Sequence, residues 1–561
     1  MARPWVRAVL FALLVVLFLV VNRGAYQGYF FGDDLDNVFW TPYVSLARFA
    51  GELATPRLSP SNFRPIGHLY FRTLANTAGL NYPWYVAVIQ AFHLLNVWLL
   101  YVLLGRLRLE FAPAAAGALF FSFEAAALEA WWKPMYAFDV LSATLCLLCL
   151  ICYAKKRYVW SFVCFWLAFK TKELAIVLPV LLAAWEWWMG ERRWKRVVPF
   201  FAVSLVFGVQ ALFRRDPGPD YRLDLSPRAL WTTISFYSSK VFFLPFAGLV
   251  TIALPFLFRR DRRVWLGVAG FWLLLAPVLL LPLRLFPAYL YVPLAALSIA
   301  GAAMAAGRSI LVPALFFALW LPVNHWQMRV GRKATLAAAD ENRRYLDSLA
   351  RYFRANPAPG AVVIDGDPDA LHRYGTEAAV RLASGQPKIL MRHAGDQDAR
   401  QALDRPDVLV ASWNQDLRRV DLIQRRPDDP PVSWIEMGPY TPVWALREGW
   451  YARNGFFRWI EPRASASLYR PEEARAFALR VNAGPALLEK VGASQVELFL
   501  DGRPLGGRTF TRPGVQGTSW DLPPGPAGDR LVEFHVTPEL PGPAGTPRLG
   551  IAIVAFGFVA K

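Results

Sequence analysis

The sequence predicts an α-helical polytopic membrane domain of about eleven spans over residues 1–326, followed by an extracytoplasmic α/β segment at 327–445 and a β-sandwich at 446–561. Three observations predict it. The chain is 55% hydrophobic and 15% aromatic yet 18% charged, a mixture that one soluble core does not have. Its apolar residues crowd between 8 and 326, whereas the remainder is rich in Pro, Gly, Asp and Arg. The formal charge of +19, mostly Arg, falls on short loops between apolar runs. That distribution follows membrane topology and argues against a nucleic-acid partner.

Arg3 and Arg7 precede the first run, Ala8 to Val21, and no small-x-small cleavage site follows at Asn22-Arg23-Gly24, so it reads as an uncleaved span. A large polar outer loop, 23–83, comes next. Further spans are expected at 84–104, 113–128, 139–154, 158–169, 174–189, 197–213, 235–258, 264–281, 289–305 and 309–325, several of them short for a hydrocarbon core of about 30 Å.

Alternate loops hold Arg106 and Arg108, Lys155-Lys156-Arg157, Arg192-Arg193 with Lys195-Arg196, Arg259-Arg260 with Arg262-Arg263, and Arg308. By the positive-inside rule these are cytoplasmic, together with the N-terminus. The other face receives the 23–83 loop, 129–138, 170–173, 214–231, 282–288 and the C-terminal block. The Arg, Ala, Pro and Gly bias suits a bacterium with GC-rich codons, which makes the membrane the cytoplasmic one.

After the last span a polar helical pattern runs from 334 to 355, and a strand is expected at Ala361-Val362-Val363-Ile364. Asp365-Gly366-Asp367-Pro368-Asp369 then reads as a solvated turn, since it lacks the length and terminal Glu of a calcium loop. Period-two alternation such as Val496-Glu497-Leu498-Phe499-Leu500 before Asp501-Gly502 gives the sandwich. Cys146, Cys149, Cys152 and Cys164 all lie in apolar runs without His or acid beside them, and read as packing residues rather than a disulfide framework or metal site.

The candidate chemistry starts at Phe30-Phe31-Gly32-Asp33-Asp34-Leu35-Asp36, an acidic knot just outside the first span of a basic chain. Asp33 and Asp34 project differently unless the chain turns, so one can act as a general base while the other caps a helix or meets a cation. An Asp near its reference pKa of about 4 is a weak but ionised base, sufficient where a phosphate leaving group carries much of the driving force. Cations on the same face, namely Arg64, Lys133, Lys170, Lys172, Arg214, Arg215 and Arg284, could hold that phosphate or serve as snorkelling anchors. Lys170-Thr171-Lys172-Glu173 stands out because two cations and an acid fall between short spans. His93 and Asn96 share one face of the second span, for interhelical hydrogen bonds or to line a cavity. Glu124, Glu129 and Asp139 flank Trp131-Trp132, as a sugar site or an interfacial aromatic belt.

These residues carry a resemblance. The acidic pair after the first span, Arg64-Pro65, Gly79-Leu80 before His93-Leu94-Leu95-Asn96, Glu129-Ala130-Trp131 with Asp139-Val140-Leu141, Lys172-Glu173 before Pro179, and Tyr289-Leu290-Tyr291-Val292-Pro293 come in an order that resembles the GT-C superfamily. The likeness is to the membrane part of multispanning O-mannosyltransferase-like proteins and covers residues 1–326. It implies an inverting glycosyltransferase that takes sugar from a polyprenyl-phosphate carrier and passes it to a protein, lipid or polysaccharide acceptor on the outer face. It also implies a catalytic carboxylate at Asp33 or Asp34, with Asp33 slightly preferred, and substrate or phosphate contacts from Arg64, Lys172, Glu173, His93, Glu129, Trp131 and Tyr291. A divalent cation could assist at the phosphate, although the sequence shows no ligand set for one. This chain departs from the family in having Phe123-Glu124 where His-Pro often stands, and in lacking tetratricopeptide repeats. The terminal sandwich resembles carbohydrate-binding-like modules of some bacterial glycosyltransferases. Two other readings fit the same architecture: a lipid-linked-sugar transporter or scaffold without catalysis, and a membrane-anchored carbohydrate-binding protein.

Overall fold

The computed structural model describes residues 4–57, 62–213, 221–396, 398–414, 417–426, 428–541 and 548–560. Arg3, Arg214 and Arg215, singled out above, lie outside the described residues. The chain divides into two compact units, Met1–Asp340 and Glu341–Lys561.

The first unit is helical: α1 Pro4–Asn22, α2 Asp34–Trp40, α3 Leu46–Ala54, α4 Pro65–Ala78, α5 Tyr82–Arg106, α6 Phe111–Phe123, α7 Leu128–Trp132, α8 Ala137–Ala154, α9 Tyr158–Thr171, α10 Leu178–Trp188, α11 Val198–Leu212, α12 Pro227–Val241, α13 Val250–Leu257, α14 Arg262–Leu279 and α15 Tyr291–Ala305. The chain passes into the second unit within α16, Leu311–Ala355. Among the described residues five helices are long and apolar enough to cross a membrane: Trp5–Gln27, Tyr82–Arg106, Pro134–Ala154, Arg262–Leu279 and Pro287–Ala305. The pair Phe111–Phe123 and Ala125–Trp132, bent by 43°, makes a sixth if counted as one span.

That count is about half of the eleven expected, and the reason is local. A span needs about 20 residues at 1.5 Å rise each, whereas α9 has 14, α10 has 11 and α11 has 15. The run expected at 235–258 breaks between α12 and α13, where Phe243 and Phe246 take φ of 57° and 58° on either side of Pro245. The run at 309–325 opens the 45-residue α16 and soon meets Asn324, His325 and Gln327. The 23–83 segment, read as polar loop, is also largely helical. Its α2 and α4 bury Leu35, Val38, Tyr70 and Phe71 against the bundle, with Phe30 and Phe31 ahead of α2.

At the bend between α6 and α7 the backbone is completed from far along the chain. Asn324 on α16 donates from Nδ2 to the Phe123 carbonyl at 2.7 Å and accepts the Ala125 N–H at 2.8 Å. Two main-chain groups that a continuous helix would have paired are thereby satisfied inside the bundle.

The second unit opens with a sheet of β1 Ala361–Asp365, β2 Leu390–His393, β3 Leu409–Asn414 and β4 Arg419–Gln424 in the order β2-β1-β3-β4, parallel except for β4. Helices α17 Arg373–Ser384 and α18 Arg400–Leu403 connect its parallel strands. Then come β5 Trp434–Glu436, β6 Trp450–Asn454, β7 Phe457–Ile460, β8 Arg463–Arg470, β9 Ala476–Ala483, β10 Ser494–Leu500, β11 Arg503–Phe510, β12 Gly514–Asp521, β13 Gly528–Thr537 and β14 Ala552–Val559. They form two antiparallel sheets, β11-β10-β13-β8 and β12-β9-β14-β7-β6, with β5 on β14. Alternate residues of both sheets meet in a core around Trp450, Phe477, Phe534 and Phe556. Asp365 departs from the solvated turn expected of it: it is buried, and Arg458, equally buried, donates to its Oδ1 at 2.5 Å.

Candidate functional site

The acidic knot resolves into one inward and one outward carboxylate. Gly32 takes φ of 48°, a conformation that suits glycine, and turns the chain into α2. Asp33, at the N-cap position, is exposed and makes no side-chain cap bond, whereas Asp34 in the first turn is fully buried. The Phe31 N–H donates to Asp34 Oδ2 at 2.9 Å, and the other oxygen, Oδ1, is buried without a hydrogen-bond partner. Burial pushes the Asp34 carboxyl well above the usual carboxylate range, and Asp33 adds to this; the Phe31 N–H and Lys133 oppose it. The expectation of an acid near 4 is therefore corrected for Asp34. The sequence carries no sign of how deeply that residue sits.

From Asp34 a charged band runs along one end of the bundle, where α8 and α15 begin and α9 ends. Lys133 lies 4.6 Å from the Phe31 ring and donates to Glu129 Oε1 at 2.5 Å, while the Tyr136 hydroxyl donates to Oε2 at 3.2 Å. Lys172 Nζ donates to both oxygens of Asp139, at 2.6 and 2.5 Å, and sits 4.8 Å from the Tyr289 ring. Arg64 Nε donates to both oxygens of Glu173, at 2.9 and 3.1 Å. Arg284 continues the band, donating from Nε to the Tyr289 hydroxyl at 3.3 Å and lying over the ring of Tyr221.

Lys172 is extended, with φ of −157° and ψ of 137°, between the end of α9 and the 3-10 turn Glu173–Val177. Successive side chains in extended backbone point opposite ways, so Lys172 reaches Asp139 and Glu173 reaches Arg64. Arg64 is held independently. It precedes α4, its N–H donates to His68 Nδ1 at 2.9 Å, and its guanidinium lies 5.4 Å over the Phe138 ring. Burial, and next to it the Arg64 charge, lowers His68 to about 3, which keeps Nδ1 free to accept. Burial alone would lower the Arg64 pKa, but Glu173 more than offsets this and raises it. Arg64 in turn holds the Glu173 carboxyl below its usual value against the opposing effect of burial.

The structure thus brings Asp34, Glu129, Arg64, Lys172 and Glu173 into one band and adds Lys133, Tyr136, Asp139, Tyr289 and Arg284. Tyr136 carries no sequence signal beyond standing near charged residues, and Tyr289 only its place in the Tyr289-Leu290-Tyr291-Val292-Pro293 run. Lys170 points away, donating to the Arg57 carbonyl at 3.2 Å.

His93, Trp131 and Tyr291 form a separate buried cluster. His93 stacks on Trp131 at 4.4 Å, and its Nδ1 is 2.8 Å from the Tyr291 hydroxyl. Asn96 donates to that hydroxyl oxygen at 3.0 Å and to the Val140 carbonyl at 2.9 Å, and accepts from Thr144 at 2.6 Å. The Tyr291 hydrogen is therefore left for Nδ1, and Nε2–H for the Ser122 carbonyl at 3.2 Å. In this conformation these groups tie α5, α6, α8 and α15 together rather than facing open space.

An apolar pocket lies between α5, α8, α10, α14 and α15, with Ala143 and Val292 at its end nearest the band and Leu103, Leu150, Trp185 and Leu266 lining the rest. Ala143 is one helical turn from Asp139, and Val292 follows Tyr291. Among the described residues no group of three His, Cys, Asp or Glu side chains is placed to hold a metal ion.

No family model matches the chain, and no curated protein matches it. Among solved structures it is similar to the crystal structure of ArnT from Cupriavidus metallidurans bound to undecaprenyl phosphate, at 13% identity and a TM-score of 0.43, over 76% of this chain and 100% of that one. A likeness of that degree does not establish a shared fold.

Proposed function

We propose that this chain is an integral-membrane glycosyltransferase of the GT-C type. It moves a sugar from a polyprenyl-phosphate carrier to an acceptor hydroxyl on the extracytoplasmic face of the bacterial cytoplasmic membrane, with inversion. One observation carries the reading: a buried acid with an unpartnered oxygen continues into a band of Lys133, Lys172 and Arg64, at one end of a bundle whose interior holds an apolar cavity. An amphiphile with an anionic head and an apolar tail matches that polarity.

In this mechanism Asp34 Oδ1 accepts the acceptor's hydroxyl proton as the oxygen attacks the anomeric carbon. Its raised pKa makes it a stronger base, once ionised, than an exposed Asp. Arg64 and Lys172 stabilise the charge on the departing phosphate, the dominant electrostatic contribution in such a transfer. Glu129 and Tyr136 supply hydroxyl-binding groups beside them. Asp34 is closed to solvent here, so acceptor entry requires the first-loop helices α2 to α4 to part. By the positive-inside rule, the cation-dense loops favour an extracytoplasmic position for the band. The acceptor is a protein, lipid or polysaccharide hydroxyl.

The test is sugar transfer from a polyprenyl-phosphate-sugar donor by purified wild type, Asp34→Asn and Asp33→Asn. Loss in Asp34→Asn with activity kept in Asp33→Asn is the expected result. Unchanged turnover in both removes the proposal.

A further inference from the structure

We propose that Glu173 is a resident competitor for the anion site. It occupies Arg64 until a lipid phosphate displaces it, and it returns to expel the phosphate product. The inference rests on the glycosyltransferase reading above and deepens it by giving one residue control over donor and product binding.

The three ion pairs of the band differ in how they are held. Asp139 is 2% exposed and Lys172 12%, with the ammonium between Asp139 and the Tyr289 ring, so that pair is the less accessible to water. The Glu173 side chain is 42% exposed, and among the described residues its carboxylate hydrogen-bonds to no side chain but Arg64. Arg64 does not depend on Glu173 for its position, because His68 fixes its backbone and Phe138 its guanidinium plane. Only Nε is engaged: the two terminal guanidinium nitrogens make no hydrogen bond to the described residues. When the pair separates, Glu173 is therefore the partner that moves, and it leaves behind a fixed, planar fork of donors.

A phosphate can take the terminal N–H groups that Glu173, held at Nε alone, leaves open, and it has an oxygen to spare for a second cation, Lys172 being the next residue along the chain. The exchange is charge-selective. The donor is a phosphodiester with one negative charge, whereas the product is a monoester with nearly two at neutral pH. A carboxylate tethered beside Arg64 opposes the product more than the donor, and so favours turnover over product retention.

The experiment measures binding of a polyprenyl phosphate and of its monomethyl diester to full-length protein in nanodiscs, for wild type, Glu173→Gln, Glu173→Asp and Arg64→Gln. Glu173→Gln is expected to tighten the monoester by roughly 2–5-fold, as fits loss of a partly exposed competing ion pair, and the diester by less. Glu173→Asp should keep the wild-type ratio of the two affinities, and Arg64→Gln should weaken both. Equal or weaker monoester binding by Glu173→Gln, with Arg64→Gln still impaired, overturns the competitor and leaves the transferase reading standing. Equal binding by wild type and Arg64→Gln removes the anion site, and both proposals with it. If Glu173→Gln does not fold, Glu173→Ser takes its place; failure of both makes Glu173 a structural residue and overturns the inference.

Discussion

Removing the Lys172 ammonium should be among the most damaging single changes in the first unit, and the damage should be repairable at a second position. Lys172 and Asp139 are 12% and 2% exposed, and the ammonium contacts both carboxylate oxygens. Lys172→Met leaves a buried carboxylate without its partner, a change that costs about 3–5 kcal/mol. Replacing both residues, as Lys172→Met with Asp139→Leu, removes the charge along with its partner and should recover most of that loss. Lys156→Met serves as the control. Its pair with Glu191 is 67% and 39% exposed, so the loss should be about 0–1 kcal/mol. The measurement is unfolding of the full chain in mixed micelles, followed by tryptophan fluorescence. A double variant that falls by the sum of the two single losses, or a Lys172→Met loss no larger than the control's, refutes the argument. Sugar transfer should fall in the double variant despite its restored stability, which separates the two roles of Lys172.

Gly67→Ala should cost about 1–3 kcal/mol through overpacking, because a Cβ there would stand 2.0 Å from Phe138 Cδ1. Since that ring carries the Arg64 guanidinium, donor binding should weaken with it, and both are read by thermal unfolding and lipid titration. The Asp34 carboxyl binds its proton more tightly folded than unfolded, so stability should decline as pH rises from its ordinary value to its raised one. Asp34→Asn should lose this slope, which unfolding curves at stepped pH will show. In the second unit, Arg458→Met leaves buried Asp365 with only the longer pair to Arg453 at 3.9 Å and the Ser412 hydroxyl at 3.4 Å and should destabilise by up to about 3–5 kcal/mol, with hydrogen exchange quickening first in β1 and β7.

Features governed by neighbours in sequence were legible in the sequence. Val496 to Leu500 alternate and are followed by Asp501-Gly502. The structure has β10, then those two residues at φ of 51° and 75°, then β11, as a tight hairpin requires. The strand at Ala361-Val362-Val363-Ile364 stands in β1 for the same reason. What escaped depends on partners far along the chain. That Lys172 and Glu173 serve different partners follows from an extended backbone and from residues 33 and 109 positions away. The helices of the first loop are short, and packing rather than propensity holds them. Among the described residues, fewer helices reach crossing length than the eleven spans expected, because hydropathy windows do not register the breaks at Phe243, Phe246 and Lys172.

The bridge that Asn324 makes across the bend at Glu124 also has a consequence in time. Its amide serves main-chain groups laid down 199 and 201 residues earlier. Until α16 has been synthesised and has entered the bundle, that bend has two main-chain groups exposed in an apolar setting, where each unpaired group is costly. The early helices therefore cannot reach their final state in order of translation. A chain stopped just before residue 324 should therefore be far more open to proteolysis at this bend than one stopped after α16.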